Sequence, residues 1–185
     1  MNINIKIIFT LVLFTSLSCT HKSRFQKATV ITRNDFKTTK SLIGSVVQFD
    51  NEVLKPTHLQ VFDSLLFTIN TREERLIHIF DLKDKKKIGE RITAGNGPDE
   101  MLQPRIVKVD KESIQIFDIA TSTLFEYSMS DFVANPKPIV LRKIKLDKST
   151  ASEAYLLGEN LIGAVYNPSC QLNSFNLNGK KVGEY

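Results

Sequence analysis

From residue 53 onward the apolar residues come in short runs, many alternating with polar ones, as in Ile114-Gln115-Ile116-Phe117. Turn-forming clusters such as "NTREE", "DKES" and "NLNGK" divide the runs. Alternation over ~4–6 residues, bounded by Gly, Asn, Asp and Ser, marks short strands. The segment beginning at Val53 registers without a gap on the segment beginning at Met101, 48 residues further on. Pro56 falls on Pro104, Val61 on Val109, Leu66 on Ile114, Leu76 on Leu124 and Ile79 on Tyr127. A third copy follows at the same spacing, with Val109 on Leu157, Ile114 on Ile162, Leu124 on Leu172 and Tyr127 on Phe175. In the second copy the pattern predicts strands at 106–109, 114–118, 124–128 and 140–146.

A period near 48 with four short strands per unit is the signature of β-propeller blades, in which each sheet covers its faces with its neighbours. The expected fold is therefore all-β: about three four-stranded antiparallel blades in a partial ring. Little helix is expected beyond the N-terminal segment and a short turn near Pro98.

The most site-like stretch is "TAGNGPDEMLQP", residues 93–104. It lies between the last predicted strand of one unit and the first of the next, which makes it a crossover between blades. Gly95 and Gly97 would supply positive φ, Pro98 would fix the next φ, and Asp99 would accept bonds from a turn at 100–102. Pro104 opens the following strand. A dinucleotide loop needs a third Gly opening a long helix, and a P-loop needs Gly-Lys-Ser/Thr; neither follows here, which excludes a phosphate cradle. By position the candidate binding residues are Asn96, Asp99, Glu100 and Arg105. Against that stands the plainer reading, in which the two acids cap the turn and Arg105 pairs with such a carboxylate.

The N-terminus carries an address. Lys6 and the start amine form a short cationic region, an apolar stretch runs from Ile7 to Leu17, and small Ser18 precedes Cys19. This stretch is too short to span ~30 Å of hydrocarbon comfortably, so residues 1–18 are expected to be a cleaved signal peptide. Leu17-Ser18-Cys19 resembles the lipobox of bacterial lipoproteins, which implies that Cys19 becomes the acylated first residue. The alternative is an ordinary cleaved signal peptide, which would leave Cys19 as a reactive thiol. Residues 19–41 would be the tether. The following Thr-His-Lys-Ser-Arg lacks an acidic run, which places the expected domain at the outer membrane, facing the periplasm.

Gly95-x-Gly97-Pro98-x-Glu100, then Pro104 and a strand, with "LIHIFDL" upstream, resembles the six-bladed TolB-like and NHL-type propellers. The resemblance covers 42–185 and implies a lipoprotein with a six-bladed ring. Three periods would then be its N-terminal half, with 42–48 as an outer strand of the closing blade. Unpaired strand edges would make such an arc unstable or self-associating alone.

Composition alters this picture little. With 42% hydrophobic and 24% charged residues the chain is globular, and its formal charge of +5 is scattered. The densest cluster, Lys83-Asp84-Lys85-Lys86-Lys87, contains an acid and reads as a solvated turn, so nucleic acid is not an expected partner. Cys170 has no disulfide partner if Cys19 is acylated, and His21, His58 and His78 lack metal-ligand spacing; no metal or cofactor is expected. The expected function is a non-catalytic binding or interaction module with an envelope protein, peptide or glycan as ligand. The alternative is a calcium-dependent propeller hydrolase or lyase, with Asp63, Asp81, Asp110 and Asp118 as strand-edge acids.

Overall fold

The computed structural model describes residues 32–38, 40, 41, 43–49, 56–147, 151–165 and 172–185. The signal segment, Cys19, His21, most of the tether and Cys170 lie outside them. The chain divides into two units, residues 1–44 and 45–185. In the first, the described structure is a short 3-10 turn, Arg33–Asp35, closed by the Asp35 carboxylate accepting the Thr32 N–H at 2.6 Å.

Among its described residues the second unit holds twelve strands in three antiparallel meanders. Blade 1 is β1 (His58–Phe62), β2 (Leu65–Ile69), β3 (Arg75–Asp81) and β4 (Lys86–Thr93). Blade 2 is β5 (Pro104–Val109), β6 (Ser113–Asp118), β7 (Thr123–Ser128) and β8 (Val140–Lys145). Blade 3 is β9 (Ala151–Leu157), β10 (Asn160–Val165), β11 (Leu172–Phe175) and β12 (Lys181–Glu184). The first strands of successive blades touch, β1 against β5 and β5 against β9.

Blade 2 is covered on both faces, which explains why "SIQIFD" is nearly continuously buried. Ile114, Ile116, Phe125 and Tyr127 enter one core with Phe67, Ile69, Ile77 and Ile79 of blade 1. Phe117, Leu124 and Ile144 enter a second core with Ala154, Leu156, Leu161 and Phe175 of blade 3. Neighbouring residues on a strand point to opposite faces, so one blade supplies two cores.

The structure corrects the sequence reading in three places. The third copy is not in uniform register: Leu161, rather than Ile162, faces Phe175 as Ile114 faces Tyr127. Residues 43–48 form no strand; Ile43 and Val46 are 97% and 89% exposed, and no strand among the described residues pairs with them. Third, a helix, α1 (Met129–Ala134), interrupts the β7–β8 connection. Its Phe132 is fully buried, with its ring centroid 5.2 Å from that of Tyr127 and 6.4 Å from that of Phe67. Its last turn is held by Arg91 of β4, whose Nε donates to the Phe132 carbonyl at 2.6 Å while Nη2 donates to the Val133 carbonyl. Burial of that guanidinium holds the Arg91 pKa below the ordinary arginine range.

Because Phe132 fills the space between blades 1 and 2, Phe132→Ala is expected to cost ~3–5 kcal/mol. Exposed Ser130→Ala on the same helix should change stability by under ~0.5 kcal/mol. Urea unfolding of both variants checks the difference.

Candidate functional site

The crossover from β4 to β5 is a pinned loop. Ile92 adopts φ 59° as the chain leaves β4. Met101 then returns to bond β4, its N–H donating to the Thr93 carbonyl at 3.1 Å and its carbonyl accepting the Gly95 N–H at 3.0 Å. The Met101 side chain is fully buried in the core between blades 1 and 2, so the loop is anchored by apolar burial.

The expected positive φ is found at Gly95 and not at Gly97, and the two glycines share a further purpose. Gly95 has φ 157°, but Gly97 is not among the positive-φ residues. What both share is the Glu100 carboxylate lying where a side chain would begin: a Cβ would come 2.0 Å from Glu100 Oε2 at Gly95 and 2.9 Å from it at Gly97. Glu100 Oε2 accepts the Gly97 N–H at 2.8 Å. Glu100, rather than Asp99, therefore caps the turn, and the glycines clear room for it. Pro104 is buried at the first position of β5, where a missing N–H is tolerated.

Asp99 and Glu100 line a pocket of about 620 Å³ between blades 1 and 2, together with Arg75, Tyr127, Lys137 and the prolines 98, 136 and 138. This volume is in the range of small-ligand sites, ~300–1,000 Å³. Arg75 is oriented by Thr93, whose Oγ1 accepts from Nη1 at 3.1 Å. The far wall follows α1 and is tied by Asp131, which accepts the Ile139 N–H at 2.7 Å and the Asn135 side-chain amide. Tyr127 is 1% exposed and its hydroxyl has no hydrogen-bond partner among the described residues. Burial, and then the negative charge of Asp99, push its pKa above the ordinary tyrosine value, so it remains a neutral donor. In the matching places of the other blades, Ile79 and Phe175 carry no polar atom.

Of the four candidates from sequence, the structure brings together Asp99 and Glu100. Asn96 is exposed and outside the pocket lining. Arg105 pairs with neither loop acid; its Nη1 donates to Glu153 Oε1 on β9 at 2.6 Å. Sequence reasoning missed Arg75, Tyr127 and Lys137. The signal for Tyr127 lay in the repeat itself, as a phenol in a column otherwise filled by Ile and Phe.

Three stacked four-stranded meanders with apolar cores between them define a β-propeller. The chain belongs to the TolB-like 6-blade propeller-like family, whose model matches residues 32–153. A crystal structure of a protein predicted to be exported, from Bacteroides fragilis NCTC 9343, is similar with TM-score 0.51 and 20% identity, over 75% of this chain and 39% of that one. This chain thus spans 39% of the length of that protein. Two computationally designed proteins also resemble it: Ika4 (TM-score 0.46, 7% identity, 77% of this chain and 80% of that one) and Ika8 (0.41, 8%, 78% and 53%). No curated protein matches the chain.

Because a methyl group at Gly95 would displace the Glu100 carboxylate, Gly95→Ala is expected to destabilise by ~1–3 kcal/mol. In a Glu100→Ala background the same change should cost less, since the conflicting carboxylate is gone. A double-mutant cycle of thermal or urea melts reads the coupling; strict additivity would contradict this account of the loop.

Proposed function

We propose that this protein is a lipid-anchored propeller of the cell envelope that acts as a non-catalytic binding module. Its ligand sits in the pocket between blades 1 and 2. The observation that carries the reading is Tyr127: it lines a pocket of ligand size, and its buried hydroxyl, a neutral donor, has no partner among the described residues. A buried polar group without a partner costs ~1–3 kcal/mol, a cost that a ligand acceptor would remove. Arg75 and Lys137 offer positive charge to an acidic group, Asp99 and Glu100 offer negative charge to a basic one, and the proline and isoleucine walls suit an apolar body, so a short peptide carrying an acidic side chain or carboxylate end fits this mixed lining. Anchoring rests on the Leu17-Ser18-Cys19 motif. Export is supported by the same motif and by the description of the Bacteroides fragilis protein.

Tyr127→Phe separates binding from folding. Removal of an unpartnered hydroxyl should raise stability by ~1 kcal/mol while weakening peptide hits by ~3–10-fold. The measurement is a thermal melt of both proteins, with ligand-observed NMR against a panel of N-acetylated dipeptides carrying Asp, Glu or free C-termini. A Tm that falls, or peptide binding that ignores the substitution, would remove Tyr127 from the site.

Cys19→Ala should abolish palmitate labelling in cells and leave an uncleaved or soluble product. Labelling that survives the substitution would overturn the anchor.

A further inference from the structure

The repeat gives each position two internal comparisons, and at His58 the comparison is informative. His58 on β1, Ile106 on β5 and Ala154 on β9 follow one another at the 48-residue period, and the last two are buried and apolar. His58 puts an imidazole in that column, and its Nε2 is buried without a hydrogen-bond partner among the described residues. The backbone of Ile106 lies within hydrogen-bonding reach of the ring.

Beside this ring stands an ion pair that also follows the period. Arg105 and Glu153, 48 residues apart on the first strands of blades 2 and 3, meet at 2.6 Å through Nη1 and Oε1. The other Glu153 oxygen, Oε2, accepts the Tyr155 hydroxyl. The pair remains accessible, with Arg105 37% and Glu153 30% exposed. None of the four residues lines the pocket that holds Tyr127.

The charge states follow from the surroundings. The Tyr155 bond first, and Arg105 after it, hold the Glu153 carboxyl below the ordinary glutamate range. Burial and the same bond push the Tyr155 hydroxyl up to about 12. Burial and the Arg105 charge hold the His58 ring below its usual value. At neutral pH the cluster therefore has one positive and one negative charge and sums to zero.

What remains unused is a mixed set of hydrogen-bonding groups. Among the described residues Arg105 donates through Nη1 and keeps its other side-chain N–H groups, and Glu153 keeps spare lone pairs; His58 Nε2, shut off from solvent, would accept from a ligand hydroxyl that inserts beside the ring. An ionic ligand gains little from a net-neutral cluster, and an apolar one would strand these groups without water. Adjacent hydroxyls on a sugar ring each donate and accept, which complements alternating donors and acceptors. We propose that His58, Arg105, Glu153 and Tyr155, along the first strands of the three blades, form a binding site for a neutral saccharide. This site is separate from the peptide pocket and does not depend on it.

The test is saturation-transfer NMR and titration of the full-length protein with cellobiose, lactose and N-acetylglucosamine, with glucuronate and triglycine as charged comparisons. At least one neutral sugar is expected to bind, and Glu153→Gln and His58→Phe should each weaken it about tenfold. Tyr127→Phe should leave sugar binding unchanged. His58→Phe removes a nitrogen that has no partner in the fold, so it decides the matter even if Glu153→Gln fails to fold. The proposal is overturned if no neutral sugar binds, if both variants bind it as well as the parent, or if only glucuronate or triglycine binds.

Discussion

A four-stranded sheet has two faces and no means of covering either alone. Every other feature of this protein follows from that constraint. Blade 2 meets it by dividing its side chains between two cores, and the division requires strands that are apolar on both sides. Polar groups caught between the sheets must then be satisfied across the gap. Gln115 does so between blades 2 and 3: its Oε1 accepts the Leu156 N–H at 3.1 Å and its Nε2 donates to the Leu156 carbonyl at 3.4 Å. Arg91 does so between blades 1 and 2 by capping the last carbonyls of α1. Each clamp gives direction to a contact that apolar burial leaves non-directional.

Much of the fold was legible because the constraint acts on every blade alike and writes the same pattern each time. The strands, their order and the crossover at 93–104 follow from alternation and spacing alone. Helix α1 did not. "MSDFVA" is six residues long, too short for a helical period to declare itself, and what stabilises it is Phe132 packing and Arg91 capping from another blade. The register of β10 was likewise hidden, because Leu161 and Ile162 are both apolar and only pairing tells which faces the core.

The candidate site was legible in part, for a related reason. Asp99 and Glu100 stood out by lying in a glycine loop, but that Glu100 rather than Asp99 caps it was hidden, since which carboxylate reaches Gly97 depends on the path of the loop in space. The Arg105–Glu153 pair could have been read from the period, as the two residues occupy one column of the repeat. Charge complementarity between adjacent blades is a pattern along a column, whereas a search for motifs looks along a row. Tyr127 and His58 belong to the same kind of evidence: each is a polar group in a column of apolar ones, and each keeps an atom unpartnered.

The helix in the β7–β8 connection also bears on how such a molecule can change. In blade 1 the corresponding strands are joined by a tight turn at 82–85, whereas in blade 2 residues 129–139 intervene before β8. The extra length is recovered immediately: residues 94–103 link β4 to β5, but only 146–150 link β8 to β9, so the inner strand of blade 3 still begins on schedule. Spacing at the bore and length at the periphery are thus decoupled. A lineage can lengthen one outer loop and trim the next without disturbing how blades stack. Here that freedom has raised a wall, Pro136 to Val140, on a pocket that blade 1 alone could not enclose. Novel recognition can arise at the rim of this architecture through compensated edits of loop length, while the stacked sheets beneath stay as they were.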